Sequence, residues 1–518
     1  MKKGGYMIEE NKSSMKNSVR RLIIAGIGVL IQIIWVVVLV MRLNQYSQII
    51  TLLTVAIELV LVLAVYSMDT NAAFKLPWII LITVAPIVGI CVFFLFGRSG
   101  ATKKVRARYR KIDQQLFAYL NQDEQIIEEL SKKDERLAND FKYLWKCASS
   151  PVYKNTDVKY YGDTCDAMAA QLEDMMQAKK FIFLEYHAIE MAESFQALRK
   201  VLMAKAREGV EIRILYDDAG CIGFLNPRFI KYMESMGIQC RVFNPIMPVL
   251  NIFMNNRDHR KITVIDGKVA YTGGYNLADE YFNITHPYGQ WKDSGIRFEG
   301  DAVQTATILF LEMWNALREQ DVDIEKYLPV YPYKAKEQGF FALYGDSPLD
   351  KEPAGENVYM NLLRHAKKYI YFTTPYLILS DEMTRELTGA AKRGVDVRII
   401  TPGIPDKKTI FQVTKSYYPQ LLKHGVKIYE YTPGFMHEKQ CICDGEIVVV
   451  GTINLDFRSL YLHFENAALF CGYEAVSHVK EDFEALFPIC KDMSKEPSER
   501  TRRLRLSQLI LRLFSPLM

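Results

Sequence analysis

Charge of one sign is almost cancelled by charge of the other: 65 Lys and Arg stand against 60 Asp and Glu in 518 residues, a formal net charge of only +5. So small an excess over so long a chain does not read as a nucleic-acid binder, and basic residues carry meaning only where they cluster. The nine cysteines, at 91, 147, 165, 221, 240, 441, 443, 471 and 490, include no CxxC pair and no spacing with histidine that suggests zinc. They read as reduced thiols. Clustered acids that would point to a divalent cation are also missing, so neither metal nor cofactor is expected. No small-residue cleavage site follows the first apolar stretch, which argues for a retained anchor over a removed signal peptide.

Apolar sequence is what the first hundred residues do hold. A basic tail, 1–21, carries Lys2, Lys3, Lys12, Lys16, Arg20 and Arg21 against Glu9 and Glu10. Leu22 to Met41 then runs with only Gln32 clearly polar, long enough to cross a bilayer. A second run, Ile49 to Tyr66, contains Glu58; a third, Trp78 to Phe96, contains Pro86 and Gly89. Residues 22–97 are therefore expected to form a membrane anchor of two or three transmembrane segments, making a multi-pass protein of the cell membrane. Arg98, Lys103, Lys104, Arg106, Arg108, Arg110 and Lys111 follow it. If both basic flanks lie in the cytoplasm the number of crossings is even, yet three runs are present. Either one run is interfacial or re-entrant, or one flank faces the other side; a cytoplasmic catalytic region is the reading adopted. Residues 98–150 read as charged surface helix, a solvated linker near headgroups.

From about 151 strands and helices alternate. Val158 to Tyr161, Phe181 to Tyr186, Gly209 to Tyr216 and Gly237 to Phe243 read as strands, echoed by Phe340 to Tyr344, Tyr369 to Thr373, Gly394 to Ile400 and Gly425 to Glu430. Helices over 165–178 and 357–366 lie between them. The pattern predicts an α/β chain of two similar lobes, 151–335 and 336–490, each a mixed, mostly parallel sheet with helices on both faces. The tail, 491–518, sets Arg502, Arg503, Arg505 and Arg512 among leucines, and reads either as an interfacial amphipathic helix or as a helix packed on the lobes.

One stretch occurs twice, 178 positions apart. His259, Lys261 and Asp266 match His437, Lys439 and Asp444, and each HxKxxxxD continues to a glycine, Gly273 or Gly451, and an asparagine, Asn276 or Asn454. Asp266-Gly267 and Asp444-Gly445, flanked by apolar β-formers, predict hairpins. Alternation puts His and Lys on one face of one strand. An imidazole, an ammonium and an amide together suit a phosphate oxyanion, the glycines letting backbone come close. Asp266 and Asp444 fit either turn formation or substrate contact. One copy cannot supply nucleophile and acid at once, whereas two facing copies can: a neutral His attacks phosphorus, and the protonated opposite His serves the departing and then the incoming alcohol. Asp293 and Glu465, shortly after the two copies, are the candidate His-orienting carboxylates.

These residues resemble the phospholipase D superfamily, and within it the bacterial cardiolipin synthases. The resemblance extends to Pro86 to Gly89, Leu95 to Arg98, Arg257 to Lys261, Gly289-Gln-Trp291, Thr374-Pro-Tyr376, Gly451 to Ser459 and Phe514-Ser-Pro-Leu. It implies two phospholipase D-like lobes behind N-terminal transmembrane helices. It also implies transfer of a phosphatidyl group from one phosphatidylglycerol to another, giving cardiolipin and glycerol through a phosphatidyl-histidine on His259, with His437 as acid and base. Water as acceptor (a phospholipase D releasing phosphatidic acid) or serine (a phosphatidylserine synthase) are the alternatives. The first apolar run is an addition to the family's usual pair of membrane segments, and at 452 a Thr occupies the place of Gly274, a small residue either way.

Overall fold

The computed structural model describes residues 48–94, 103–496 apart from 226–227, 247–254, 319–320 and 322, and 504–517, with scattered positions before 48. The expected span at 22–41 lies largely outside the described residues.

Each lobe is built on a twisted sheet with the same strand order. In the first, Thr156–Tyr161 lies at one edge, followed by Gly295–Gly300, Val269–Gly273, Lys261–Ile265, Phe181–Tyr186, Glu211–Asp217 and Gln239–Phe243. The second runs Phe340–Asp346, His463–Cys471, Ile447–Gly451, Gln440–Cys443, Tyr369–Thr373, Asp396–Pro402 and Lys427–Tyr431, with Cys490–Asp492 added at the edge. Only the last three strands of the first order, and their counterparts in the second, pair in parallel; the other neighbours are antiparallel. The expectation of mostly parallel sheets is corrected accordingly. Helical crossovers such as Glu193–Arg207 produce parallel neighbours, but the motif strands are joined by three-residue turns, which only antiparallel pairing permits.

Alternation along the strands assigns the two faces. Ile182 and Leu184 join a core made with helices Thr164–Met176 and Glu193–Arg207, while Phe181 and Phe183 join another around helix Val303–Leu317. That second core also takes in Phe341, Ile400, Val448 and Phe470 from the other lobe, so the lobes share one apolar interior. Thirteen of the fifteen residues of the central helix are buried, and Trp314 is among the largest fully buried side chains.

Residues 103–148 are not a solvated linker. Tyr109, Ile112 and Leu116 form one stripe of helix Lys103–Leu116 and are buried against the central helix; Phe141 and Leu144 of helix Glu135–Ala148 are buried against the second lobe. The apolar residues are sparse because only one face of each helix packs.

The N-terminal apolar sequence forms helices Gln48–Tyr66, Ala72–Val84 and Pro86–Val92. The third run is not one straight span: the chain reverses at Ala85-Pro86. A Cβ on Gly89 would lie 2.6 Å from the Ile82 Cα, and the Trp78 and Phe93 rings meet at 5.5 Å. Among the described residues no helix is long and apolar enough to cross a membrane. Phe74 joins this unit to the second lobe through Phe457 and Tyr461. Helix Leu506–Leu513 packs on helix Lys408–Lys423, with Arg512 over the Tyr417 ring at 4.0 Å, yet Leu506, Leu509, Ile510 and Phe514 stay exposed. The tail is thus packed on one side, as one of its two readings expected, and carries exposed apolar side chains on the other.

Candidate active site

The two motif copies come together through exchanged backbone ladders. Arg257–Asp258, just before His259, pairs in parallel with His463 and Phe464 of the second lobe, and the His259 N–H donates to the Phe464 carbonyl at 2.9 Å. In mirror fashion Gly434–Met436, just before His437, pairs with Gln290–Lys292 of the first lobe, and the His437 N–H donates to the Lys292 carbonyl at 2.8 Å. Each ladder ends one residue before a carboxylate. Glu465 Oε2 therefore meets His259 Nδ1 at 2.8 Å, and Asp293 Oδ2 meets His437 Nδ1 at 2.5 Å. Both orienting pairs cross between lobes. An ionised carboxylate only accepts, so its imidazole carries the proton on Nδ1 and presents Nε2 as a lone pair.

The lysines sit beside their own histidines. Lys261 Nζ donates to the His259 carbonyl at 2.7 Å; Lys439 Nζ donates to the His437 carbonyl and stands 2.6 Å from its Nδ1. Burial lowers the Lys261 pKa to about 7 and that of Lys439 to about 8, against the pull of Glu465 and Asp293 respectively. Burial and then Lys439 bring His437 down to about 3, while the Asp293 carboxylate pulls it back up. At His259 burial, Lys261, His187, His463 and Lys439 all push downward. Burial raises Glu465, opposed by the Lys261 ammonium and the Thr452 hydroxyl. Each lysine's charge thus reaches the other lobe's histidine.

Asp266 and Asp444 are drawn away from this centre. Both have positive φ, 53° and 54°, at the tips of the motif hairpins. The Asp266 carboxylate accepts backbone N–H groups of Lys179, Lys180 and Phe181 at 2.7–2.9 Å, and that of Asp444 accepts those of Lys367, Lys368 and Tyr369 at the same distances. Of the two uses open to them, turn formation is the one this geometry supplies, since both oxygens of each are occupied. Gly273 and Gly451 allow a close approach, but of strand to strand: a Cβ on either would lie 2.4 Å from the carbonyl oxygen of Ser294 or Asn466. Asn276 accepts from the Ala188 N–H at 3.1 Å and donates to Tyr281 Oη at 2.8 Å, leaving one Nδ2 hydrogen; Asn454 Oδ1 has no hydrogen-bond partner among the described residues.

The difference between Gly274 and Thr452 has a physical account. A Cβ at 274 would lie 2.1 Å from Asp293 Oδ1, so only glycine clears that carboxylate. Thr452 instead donates its hydroxyl to Glu465 and accepts from the Asn466 N–H at 3.0 Å. Between the motif residues, Arg260 is buried against Glu312 at 2.8 Å and Glu438 against Lys292 at 2.6 Å.

Sequence reasoning passed over two further histidines. The His187 ring stands 5.0 Å from that of His259 and its Nδ1 lies 2.7 Å from the Asp258 carbonyl; the His463 ring stands 5.5 Å from His259 on another side. His437 has aromatic walls instead, with Tyr281 and Trp291 at 5.1 Å and Phe435 at 5.8 Å. His187 and His463 belong to neither repeat, and only Leu462-His-Phe-Glu465, next to a candidate carboxylate, marked one of them. His259, His463 and Glu465 bring three metal-capable atoms within 4.8 Å of one another, but the Lys261, Arg257 and Arg458 charges around them disfavour a cation.

Comparison with known proteins agrees with this architecture. The family model described as cardiolipin synthase, PLD-like domain, matches residues 172–314 and 359–487. An uncharacterized protein of Streptococcus mutans is 39% identical over 89% of this chain and 99% of its own length. A cardiolipin synthase of Halalkalibacterium halodurans is 32% identical over 85% of this chain and 87% of its own, and cardiolipin synthase 2 of Bacillus anthracis 31% over 86% of each. The solved structure of a phosphatidylserine synthase of Haemophilus influenzae overlays 73% of this chain and 98% of that one with a TM-score of 0.53 at 14% identity, a likeness of fold. With two phospholipase D-like lobes meeting at a paired His–Lys centre, this phosphatidyltransferase belongs to the family of cardiolipin synthases with PLD-like domains.

Proposed function

We propose that the protein joins two phosphatidylglycerol molecules into cardiolipin and free glycerol at this centre. The observation that carries the reading is the reciprocal exchange between lobes, in which each histidine is fixed by a carboxylate of the other half with both lysines alongside. Imidazoles kept neutral by burial suit nucleophilic attack. Each imidazole has a carboxylate of the other lobe on Nδ1, and His259 is taken as the nucleophile and His437 as the acid and base because the resemblance to the family implies that order. A phosphodiester arriving between the lysines adds negative charge, which raises the pKa of His437 toward the value an acid needs.

In the first step His259 Nε2 bonds to phosphorus as the bond from phosphorus to the glycerol oxygen breaks, and His437 Nε2–H protonates that oxygen. In the second, His437 takes the proton of the acceptor's primary hydroxyl, whose oxygen bonds to phosphorus as the P–N bond breaks. Lys261, Lys439 and the amides of Asn276 and Asn454 hold the equatorial oxygens. The three-residue turns that begin at Asp266 and Asp444 serve by fixing the motif strands.

The anchor reading takes support from the helix Gln48–Tyr66, on which Leu52, Leu59, Val60 and Leu63 are all exposed on the face opposite the buried Leu61 and Val65, a surface that lipid would cover. With the third run folded back at Pro86 and returning to the side it entered, an even number of crossings by the first two runs places both basic flanks in the cytoplasm, as the charge rule asks. Protease protection of a C-terminal tag in inverted and right-side-out vesicles tests this placement. Purified protein on phosphatidylglycerol vesicles tests the reaction: cardiolipin with equimolar glycerol is expected, whereas phosphatidic acid as the main product would contradict it.

A further inference from the structure

The two sides of the site differ in what they leave unpaired. Around His437 the walls are the rings of Tyr281, Trp291 and Phe435, whose one polar atom buried without a partner among the described residues is the Trp291 ring nitrogen. Around His259 they are polar and, in part, without partners. His463 has a side chain only 10% exposed, and neither ring nitrogen has a hydrogen-bond partner among the described residues; Glu465 Oε1 approaches Nδ1 at 3.4 Å without bonding. Arg458, on the short helix Phe457–Tyr461 that leads into the His463 strand, has a buried Nε that is likewise unpartnered. Its guanidinium is, after burial, the strongest influence holding the His463 ring neutral. His187 gives its Nδ1 to the Asp258 carbonyl, which leaves Nε2 to accept.

Buried donors and acceptors of this kind are paired in finished structures, by protein, water or ligand, because leaving them bare forfeits their solvation without return. They are also arranged in an order that matches one chemical group. Imidazoles lie next to the reacting histidine, and the Arg458 guanidinium is near enough to His463 to weigh on its charge. A glycerol phosphodiester has hydroxyls at its outer end and a phosphate behind them. Transfer to such an acceptor places a hydroxyl at the reaction centre and its phosphate one glycerol unit away, where a guanidinium can meet it.

We propose that His187, His463 and Arg458 form the subsite for the headgroup of the accepting lipid. His187 and His463 bind the glycerol hydroxyls, directing the primary one at phosphorus, and Arg458 binds the acceptor's phosphate. The inference rests on the phosphatidyl-transfer reading above and adds to it which part of the site distinguishes a lipid acceptor from a free alcohol. Free glycerol has the hydroxyls but no phosphate, so it uses the imidazoles and gains nothing from Arg458.

The experiment compares two reactions of the full-length enzyme on phosphatidylglycerol vesicles: formation of cardiolipin, and exchange of labelled free glycerol into phosphatidylglycerol. For Arg458→Gln the ratio of cardiolipin formation to exchange is expected to fall at least tenfold, and Arg458→Lys to recover part of it. His463→Phe keeps the ring volume, and is expected to slow both reactions and raise the KM for glycerol in exchange. An unchanged ratio in Arg458→Gln, whether both reactions persist or both fall together in a variant that still unfolds cooperatively at the wild-type temperature, overturns the subsite. A wild-type enzyme that performs neither reaction and yields phosphatidic acid contradicts the parent reading instead.

Discussion

His259 and His437 occupy matching places in a repeat but different surroundings, and their chemistry follows the surroundings. Removing either ring leaves the ladders intact, so His259→Ala and His437→Ala are expected to fold normally and to lose turnover by at least 10³-fold, measured as cardiolipin formed per enzyme. Asp293→Asn and Glu465→Gln keep shape and remove charge; each is expected to cost on the order of 10²- to 10⁴-fold in kcat, as for general acid–base groups, with smaller change in KM. The lysines give a pH dependence with a definite sign. Lys261 and Lys439 lose their protons as pH rises through about 7 and about 8, and with them the charge that attracts a phosphodiester. The profile of kcat/KM, which reports the free enzyme, is therefore expected to decline on the alkaline side in that window, well below the ordinary lysine value near 10.4. At this scale the sequence showed the doubled His, Lys and Asn, and both carboxylates. It did not show that His259 takes Glu465, 206 residues away, or that His437 takes Asp293, 144 residues away, because nothing local records which lobe a side chain will meet.

The motif hairpins show what the third position shared by the two repeats does. Asp266 and Asp444 each tie a turn to the start of the neighbouring strand through three N–H groups. Asp266→Ala is expected to lower stability by about 1–3 kcal/mol, read as a drop in the denaturation midpoint, while the folded fraction keeps its kcat. Gly274→Ala acts differently: its Cβ would displace the Asp293 carboxylate, so kcat is expected to fall at least tenfold with a smaller loss of stability. Element positions were readable from alternation and from Asp-Gly pairs. Strand direction was not, since a run of apolar residues looks the same in either orientation, and the crossover helices drew attention from the turns that set most pairings. The apolar stripe of helix Lys103–Leu116 was hidden by the charge around it, and the break at Pro86 was visible only as a proline in a long apolar run.

Across the whole molecule the repeat becomes one object. The core around helix Val303–Leu317 takes residues from both sheets, and both ladders cross between lobes, so the catalytic pair forms only in a chain that carries both halves. Mixing folded His259→Ala and His437→Ala proteins is accordingly expected to restore no activity beyond the sum of the two. The central claim is that His259 and His437 act in sequence on one phosphatidyl group, the first bonding to phosphorus and the second moving the proton. Its most direct test is to mix the enzyme with phosphatidylglycerol labelled in its acyl chains, quench at alkaline pH within a turnover, digest, and locate the label by mass spectrometry. The account expects phosphatidyl label on the peptide carrying His259 and none in His259→Ala; label on His437 instead, or product formed with no labelled histidine at any time, would contradict it.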